Sequence, residues 1–425
     1  DYVSVPLEDC GAPRTSTTTS AASFNIGDNT VSAHICDNAG NCTTESWTVT
    51  RVLQGPPVIA MKNLNSDNQD RGLCLTVGAG QAAGLSCGDL FVTHSLPAYR
   101  TMGRDRALTL FYSSAAATPR PTVAAVVTQP SGTQTPDSVL ARLTVSGVVR
   151  ASAWYSAWGT LSGGRQIALS FDAAAVGLGT GVYPFTLLVR NQYTTGPQDA
   201  SYSGELIVVS RAGSEFGSGW SVAGVEQLFT GLSSNRILWV GGDGSAAVYD
   251  SVAPHTWIRP VGAFRDTVTY VAGTHTRFLR HGVKVVFNGG RHVQTINRAG
   301  HVTQFAWGAP AGYSGIIRLL SVTVPTVSSS AQVYTFAYEG SSAFIDYIQD
   351  PSGRRIEPNV STSTNYGYTI GYIDDPDLVR TSFEYDALGR MTRRIGRRGY
   401  GTRYDYANNL HVTQVRVPLN PSAGD

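Results

Sequence analysis

Residues able to do chemistry are few here and poorly placed for it. A serine nucleophile on a strand-to-helix elbow needs Gly-x-Ser-x-Gly, and the nearest run, Gly213-Ser214-Glu215-Phe216-Gly217, has the wrong order. His275, His281, His292 and His301 lie close in sequence. Strand alternation would scatter them over both faces, and no zinc-type spacing joins any histidine to a cysteine. Asp374, Asp375 and Asp377 are the tightest carboxylate group, but Asp375-Pro376-Asp377 is ordinary turn chemistry. These patterns predict no catalytic residue, no metal centre, no cofactor and a protein that is not an enzyme. An enzyme with an unrecognised site would need a deep polar cleft with converging titratable groups. Oxygen-rich loops offer calcium two places: Asn65, Asp67 and Asp70 ahead of Gly72, or Asp28 with Asp37. Solvated loops are the favoured reading of both, with calcium as the alternative.

Binding chemistry has two further candidates. Arg390, Arg393, Arg394, Arg397, Arg398 and Arg403 are interleaved with Tyr400 and Tyr404, a mixture that single-stranded nucleic acid can use. The net charge is only +2, so there is no global field to attract polyanions, and the expectation is no nucleic-acid partner. Trp154 and Trp158 fall on one face of a candidate strand with Tyr155 on the other. Flat rings of that kind stack on sugars, which gives an alternative reading as a carbohydrate- or cell-surface-binding module.

Five cysteines, Cys10, Cys36, Cys42, Cys74 and Cys87, all lie early in the chain. Cys36 and Cys42 flank Asp37-Asn38-Ala39-Gly40-Asn41, a tight turn, and Cys74 and Cys87 bracket a similar stretch. Two local disulfides, Cys36–Cys42 and Cys74–Cys87, would leave Cys10 for a segment elsewhere, and would place the chain in an oxidising setting, secreted or at the cell surface. The chain opens on Asp1-Tyr2-Val3 with no basic n-region or apolar h-region, and reads as a window from a longer polypeptide. Apolar runs such as Phe185 to Val189 fall far short of the ~20 residues of a membrane span.

The elements that must position these residues are β-strands. Gly 46 and Pro 20 punctuate the chain heavily, charged residues make only 15 %, and 10 % aromatics exclude disorder. Helical periodicity is nearly absent, its best candidate being the short stretch Asp172 to Leu178. An all-β fold follows. Residues 1–54 read as the last part of an immunoglobulin-like β-sandwich and 55–90 as a connector with a local disulfide. Residues 91–118 hold a strand leading onward, and 119–212 form a second sandwich of immunoglobulin or fibronectin type. Residues 213–425 change character. Eleven of the 20 tyrosines lie between Tyr313 and Tyr406, many at alternate positions. Tyr334, Phe336 and Tyr338 form one stripe; Tyr366, Tyr368, Ile370 and Tyr372 a second; Phe383 with Tyr385, then Tyr404 with Tyr406, continue it. Alternation puts each stripe on one strand face, where rings are expected to stack across neighbouring strands. Between them recurs a turn with Asp or Asn and, three residues on, Gly: Asn297 to Gly300, Asp350 to Gly353 and Asp386 to Gly389.

Phe383 and Tyr404, like Tyr385 and Tyr406, are 21 residues apart, a period fitting one hairpin per repeat. Tyr385-Asp386-Ala387-Leu388-Gly389-Arg390-Met391-Thr392 resembles the YD repeat of RHS-type proteins, "Y-D-x-x-G-R-L-T". Arg104 to Ser114, Gly217-Ser218-Gly219-Trp220-Ser221 and Asp243-Gly244-Ser245 resemble that family's leading segments in outline. The earlier units are degenerate: Leu378 stands where the turn glycine would be, and Ala407 replaces the expected Asp. The resemblance implies a long β-sheet wound into a hollow shell, enclosing a toxin cut from the C-terminus in bacterial members and acting in adhesion in teneurins. It would make this chain an exported, non-enzymatic scaffold with immunoglobulin-like modules ahead of the first turns of a shell. Its partners would be the downstream polypeptide or a C-terminal toxin cargo, and a cell-surface glycan or protein.

Overall fold

The structure is a computed structural model. It describes residues 2–4, 18–20, 27–36, 42–51, 57–62, 74–78, 81–84 and those from 89 onward, except 103, 130–134, 157–163, 233–235, 260–265, 327–330, 341, 408–410 and 418–425. The described residues are almost entirely β-strand. Their one α-helix is a single turn, Ser114–Ala117, capped where Ser113 Oγ accepts the Ala116 N–H at 3.3 Å, and it stops ahead of Pro119. Asp172 to Leu178, the expected helical stretch, instead forms consecutive turns, with Asp172 Oδ1 accepting from Ala175 N at 3.0 Å. No helix among the described residues is long and apolar enough to cross a membrane.

Two compact units share the chain, each assembled from separate segments. The first comprises Asp1–Lys62, Thr122–Ser170 and Pro184–Gly204. One of its sheets orders Arg165–Ser170, Thr122–Thr128 and Val58–Lys62, all antiparallel. A four-stranded sheet orders Val148–Ser156, Ser138–Val145, Gly181–Tyr193 and Gly196–Val208. Period-two alternation divides its faces: Val139, Ala141, Leu143, Leu187 and Val189 are fully buried, while Arg142, Arg190 and Trp154 stand on the other side. Gln129 and Asn191 exchange side-chain hydrogen bonds at 3.0 and 2.6 Å, so the buried amide of Asn191 is satisfied. A separate hairpin pairs Gly27–Cys36 with Cys42–Arg51.

The second unit comprises Asn63–Pro121, Phe171–Tyr183 and Glu205–Asp425. Its early strands form a five-stranded sheet in the order Trp220–Val222, Thr109–Ser113, Leu90–Ser95, Gln81–Gly84 and Cys74–Gly78. From Gln227–Leu232 to His411–Arg416 the backbone then runs as an 18-stranded antiparallel meander, each strand bonded to the next in sequence. Its leading end closes on itself. Gln227 pairs with Arg291, and Leu228 N–H donates to Gly290 O at 2.8 Å, so the eight strands from Gln227–Leu232 to Arg291–Ile296 form a ring. Eight strands leave just enough interior for side chains to fill. Leu228, Ile237, Tyr249, Val268, Val285 and Phe287 do so.

Beyond the ring, the meander packs on the early strands of the same unit. Leu90, Val92, Leu110, Tyr112, Phe216 and Trp220 share one core with Val322, Tyr334, Phe336, Ile348, Ile370, Phe383, Met391 and Tyr404. Here the aromatic stripes behave differently from the expectation. In this half of the meander their rings meet rings of the preceding segments: Tyr334 on Tyr99 at 5.7 Å, Phe336 on Phe216 at 6.1 Å, Phe383 on Trp220 at 5.1 Å and Tyr385 on Tyr112 at 5.9 Å. The stripe from Tyr366 to Tyr372 also fails to keep one face. Ile370 and Ile373 are both fully buried while Tyr368 is 49 % exposed. The register slips at Asn359/Val360 and again at Val360/Thr362 in the paired strand, and such bulges re-aim side chains between faces.

Candidate functional site

The turn after Tyr385 is built by one carboxylate. Asp386 Oδ1 accepts backbone N–H groups from Leu388 and Arg390, each at 3.0 Å, and Oδ2 accepts Arg390 Nε at 2.7 Å. Asp386 N–H donates to Arg390 O, and Gly389 N–H to Asp386 O, closing the hairpin while Gly389 takes φ 79°. An L side chain there would be strained, which is why the motif carries glycine. The Arg390 guanidinium then lies over the Tyr406 ring at 4.5 Å, a cation–π contact. Tyr385, Asp386, Gly389, Arg390 and Tyr406 therefore converge, and Tyr404 is buried in the adjoining core. The same design recurs at Asp350, whose Oδ1 accepts from Ser352 N at 2.8 Å and Arg354 N at 2.9 Å, and at Asn297, whose Oδ1 accepts from Ala299 and His301 at 2.9 Å.

One repeat turn is anchored from outside the meander. Tyr112 Oη donates to Gly389 O at 2.9 Å and accepts Met391 N–H at 2.9 Å, bridging both sides of the turn. Thr118 Oγ1 donates to Leu388 O, and Trp220 Nε1 donates to Tyr385 Oη at 3.0 Å. Tyr406 Oη closes the set by donating to Met391 O at 2.8 Å. Burial raises the hydroxyls of Tyr112, Tyr385 and Tyr406 above the ordinary tyrosine range, so they stay protonated hydrogen-bonding groups at any physiological pH.

No family model matches this chain. A search of the curated proteins finds no match either.

Two further buried polar clusters lie in this unit. Inside the eight-strand ring, Arg277 is enclosed by carboxylates: Nη1 donates to Glu226 Oε2 at 3.0 Å, Nη2 and Nε donate to Asp266 Oδ2, and Nε also reaches Tyr249 Oη at 3.0 Å. Its guanidinium stacks on Trp239 at 4.0 Å, and Trp239 Nε1 donates to Glu226 at 2.7 Å. Burial raises the Glu226 carboxyl, with Arg277 pulling it back, and burial holds His292 down to about 4. His292 Nδ1 accepts the Glu226 backbone N–H at 3.2 Å, so its proton is on Nε2, facing Thr295 Oγ1 at 2.7 Å. All three guanidinium nitrogens and both imidazole nitrogens are thus spent on the protein itself, which is bracing chemistry. The second cluster joins His94 Nε2 to Asp375 Oδ1 at 2.9 Å, both nearly buried, with Arg397 on the other carboxylate oxygen at 3.5 Å.

Backbone register sets Cys36 opposite Cys42 at the hairpin end, and Cys74 opposite Gly84; Cys10 and Cys87 lie outside the described residues. Asn65, Asp67, Asp70, Gly72 and Asp37 also lie outside them, and Asp28 is an exposed strand residue. No group of three His, Cys, Asp or Glu that could hold a metal ion occurs among the described residues. Sequence reasoning placed Tyr112 on one strand face with Leu108 and Leu110 but assigned no site role to it, to His94 or to Arg277. Parity was the available signal for Arg277: in Thr274–Phe278 it stands at the same inward phase as His275, paired with the buried Val268.

Proposed function

We propose that this chain is part of an exported structural scaffold of the RHS/YD-repeat type, a non-enzymatic β wall that encloses a downstream effector or presents an adhesive surface. One observation carries the reading: a single 18-stranded meander whose Asp-capped Gly turns recur, one of them clamped by Tyr112 and Trp220 from preceding strands. A wall of this kind gains rigidity from repetition, because each hairpin buries its face only against its neighbours and the inner strands. The Arg277 cluster, whose guanidinium nitrogens all donate to side chains of the same unit, suits bracing.

The test has two arms on the native protein from its source. Antibodies to this chain should find it in the culture fluid or surface fraction, and limited proteolysis should leave the meander, with any segment it encloses, as one resistant body. A protein confined to the cytosol, or cut freely throughout residues 227–416, would overturn the reading.

A second reading has its own support. Trp154 is 60 % exposed on the polar outer face of the four-stranded sheet, in the same register row as Leu140 and Arg190. Arg190 forms a bidentate pair with Asp199, both bonds at 2.7 Å. An exposed indole on the same sheet face as a fixed Arg–carboxylate pair, with the Leu140 strand between them, offers a ring for stacking on a sugar and polar groups further along that face. A glycan array with the wild type and Trp154→Ala decides it: binding that Trp154→Ala abolishes supports a glycan module, and a blank array retires it.

A further inference from the structure

A polar cleft of about 260 Å³ opens at the seam where the eight-strand ring closes, lined among others by Arg291, Arg318, Arg211, Glu215, Glu226 and Trp307. Arg291 supplies the backbone bridge to Gln227 that makes the seam, and Arg318 begins the strand Arg318–Val324. We infer that this cleft binds a small oxyanion, a carboxylate or phosphate group, through the guanidinium groups of Arg291 and Arg318.

Three observations converge on this. First, many arginines of the second unit have a carboxylate partner, including Arg120, Arg236, Arg277, Arg354, Arg380 and Arg390. No ion pair among the described residues involves Arg291 or Arg318. Second, Arg318 Nε is buried without a hydrogen-bond acceptor, and among the described residues the side chain's hydrogen bonding is a long 3.5 Å approach of Nη1 to Ile317 O. Buried N–H donors are normally satisfied, and an unsatisfied one on a cation calls for an acceptor of opposite charge. Third, the charge balance is positive. Glu226 is already neutralised by Arg277 and bonded by Trp239, which leaves Glu215 as the lining carboxylate facing Arg291 and Arg318. A planar guanidinium presents paired donors to carboxylate and phosphate oxygens alike, which is why the two chemistries share the site. The indole of Trp307, its Nε1 spent on His292 O at 2.7 Å, adds an apolar wall for the rest of such a ligand.

The experiment is calorimetric titration and thermal melting of the whole chain at low ionic strength, with inorganic phosphate in one arm, acetate in a second and chloride as control. Saturable binding of phosphate or acetate with a rise in Tm that chloride does not give is expected, and the stronger arm identifies the oxyanion. Arg291→Gln and Arg318→Gln should each weaken that binding at least tenfold while melting like the wild type in anion-free buffer. Arg298→Gln, an exposed arginine on the Asn297 turn, should leave binding unchanged. Should Arg318→Gln fail to fold, Arg318→Lys, which keeps the charge and loses the fork, should still bind more weakly than wild type. Failure of both anions to bind, or equal binding by wild type and the Arg291 and Arg318 variants, overturns the inference without touching the scaffold reading, which does not depend on this cleft.

Discussion

At the residue scale, the repeat turn shows which atoms matter and what happens when one is missing. In the turn from Asp375 to Val379, Leu378 takes the position glycine holds elsewhere, with φ 62° and 86 % exposure, yet the closing bonds survive: Leu378 N–H to Asp375 O at 2.8 Å and Asp375 N–H to Val379 O at 3.2 Å. A leucine held left-handed costs about 1–2 kcal/mol that glycine does not, less what glycine loses in unfolded-chain entropy. Leu378→Gly should therefore stabilise by about 0.5–1 kcal/mol in urea titration; a loss of stability would mean the side chain has a use the geometry does not show. His292 gives the acid limb of stability. Its folded value is about 4 against 6.5 for the free group, so between these values the unfolded chain binds the extra proton. Its contribution is full above pH 6.5 and is lost as pH falls toward 4, about 3 kcal/mol for a buried group. Glu226, raised by burial, runs the other way, its contribution lost as pH rises through its folded value. Unfolding free energies of wild type and His292→Asn between pH 7 and 4 separate the two: the variant's curve should be flatter, and identical slopes would remove His292 from the account.

Among elements, hairpins were legible and closures were not. The Asp or Asn to Gly spacing marks the turns at Asn297, Asp350 and Asp386, because a local side-chain cap and a positive φ are both written within five residues. Alternating rings likewise announce strands, although the double register slip opposite Gly367–Asp374 moved Tyr368 outward, and a bulge has no such composition signature. Ring closure between Gln227 and Arg291 leaves still less trace, since it depends on one bridge and a tight glycine. A Cβ on Gly290 would come within 2.4 Å of Leu228 O, whereas one on Gly289 meets nothing within 4 Å; both residues have positive φ. Gly289→Ala should cost about 1 kcal/mol and Gly290→Ala about 2–3 kcal/mol or more. Hydrogen exchange should show Leu228 losing protection only in the second variant. Equal costs would place the seam elsewhere.

For the second unit as a whole, the meander from residue 300 onward is not held together by its own rings alone, although Phe344 and Tyr368 meet within it at 5.9 Å. Tyr99, Tyr112, Phe216 and Trp220 supply an inner layer on which Tyr334, Tyr385, Phe336 and Phe383 rest, and His94 reaches Asp375 across 281 positions of sequence. Periodicity told which residues turn inward; it carried no information on what they would meet, because partners so far apart are fixed by topology and not by spacing. The all-β class was readable from alternation and punctuation alone, and the interlock needed coordinates. The most direct test of this inner-layer account is a double-mutant cycle at Trp220 and Phe383, whose rings lie 5.1 Å apart edge to face. Equilibrium unfolding of wild type, Trp220→Ala, Phe383→Ala and the double variant should give a coupling of about 1 kcal/mol or more. Additivity within about 0.3 kcal/mol would mean the preceding strands do not support the wall, and the account would fail.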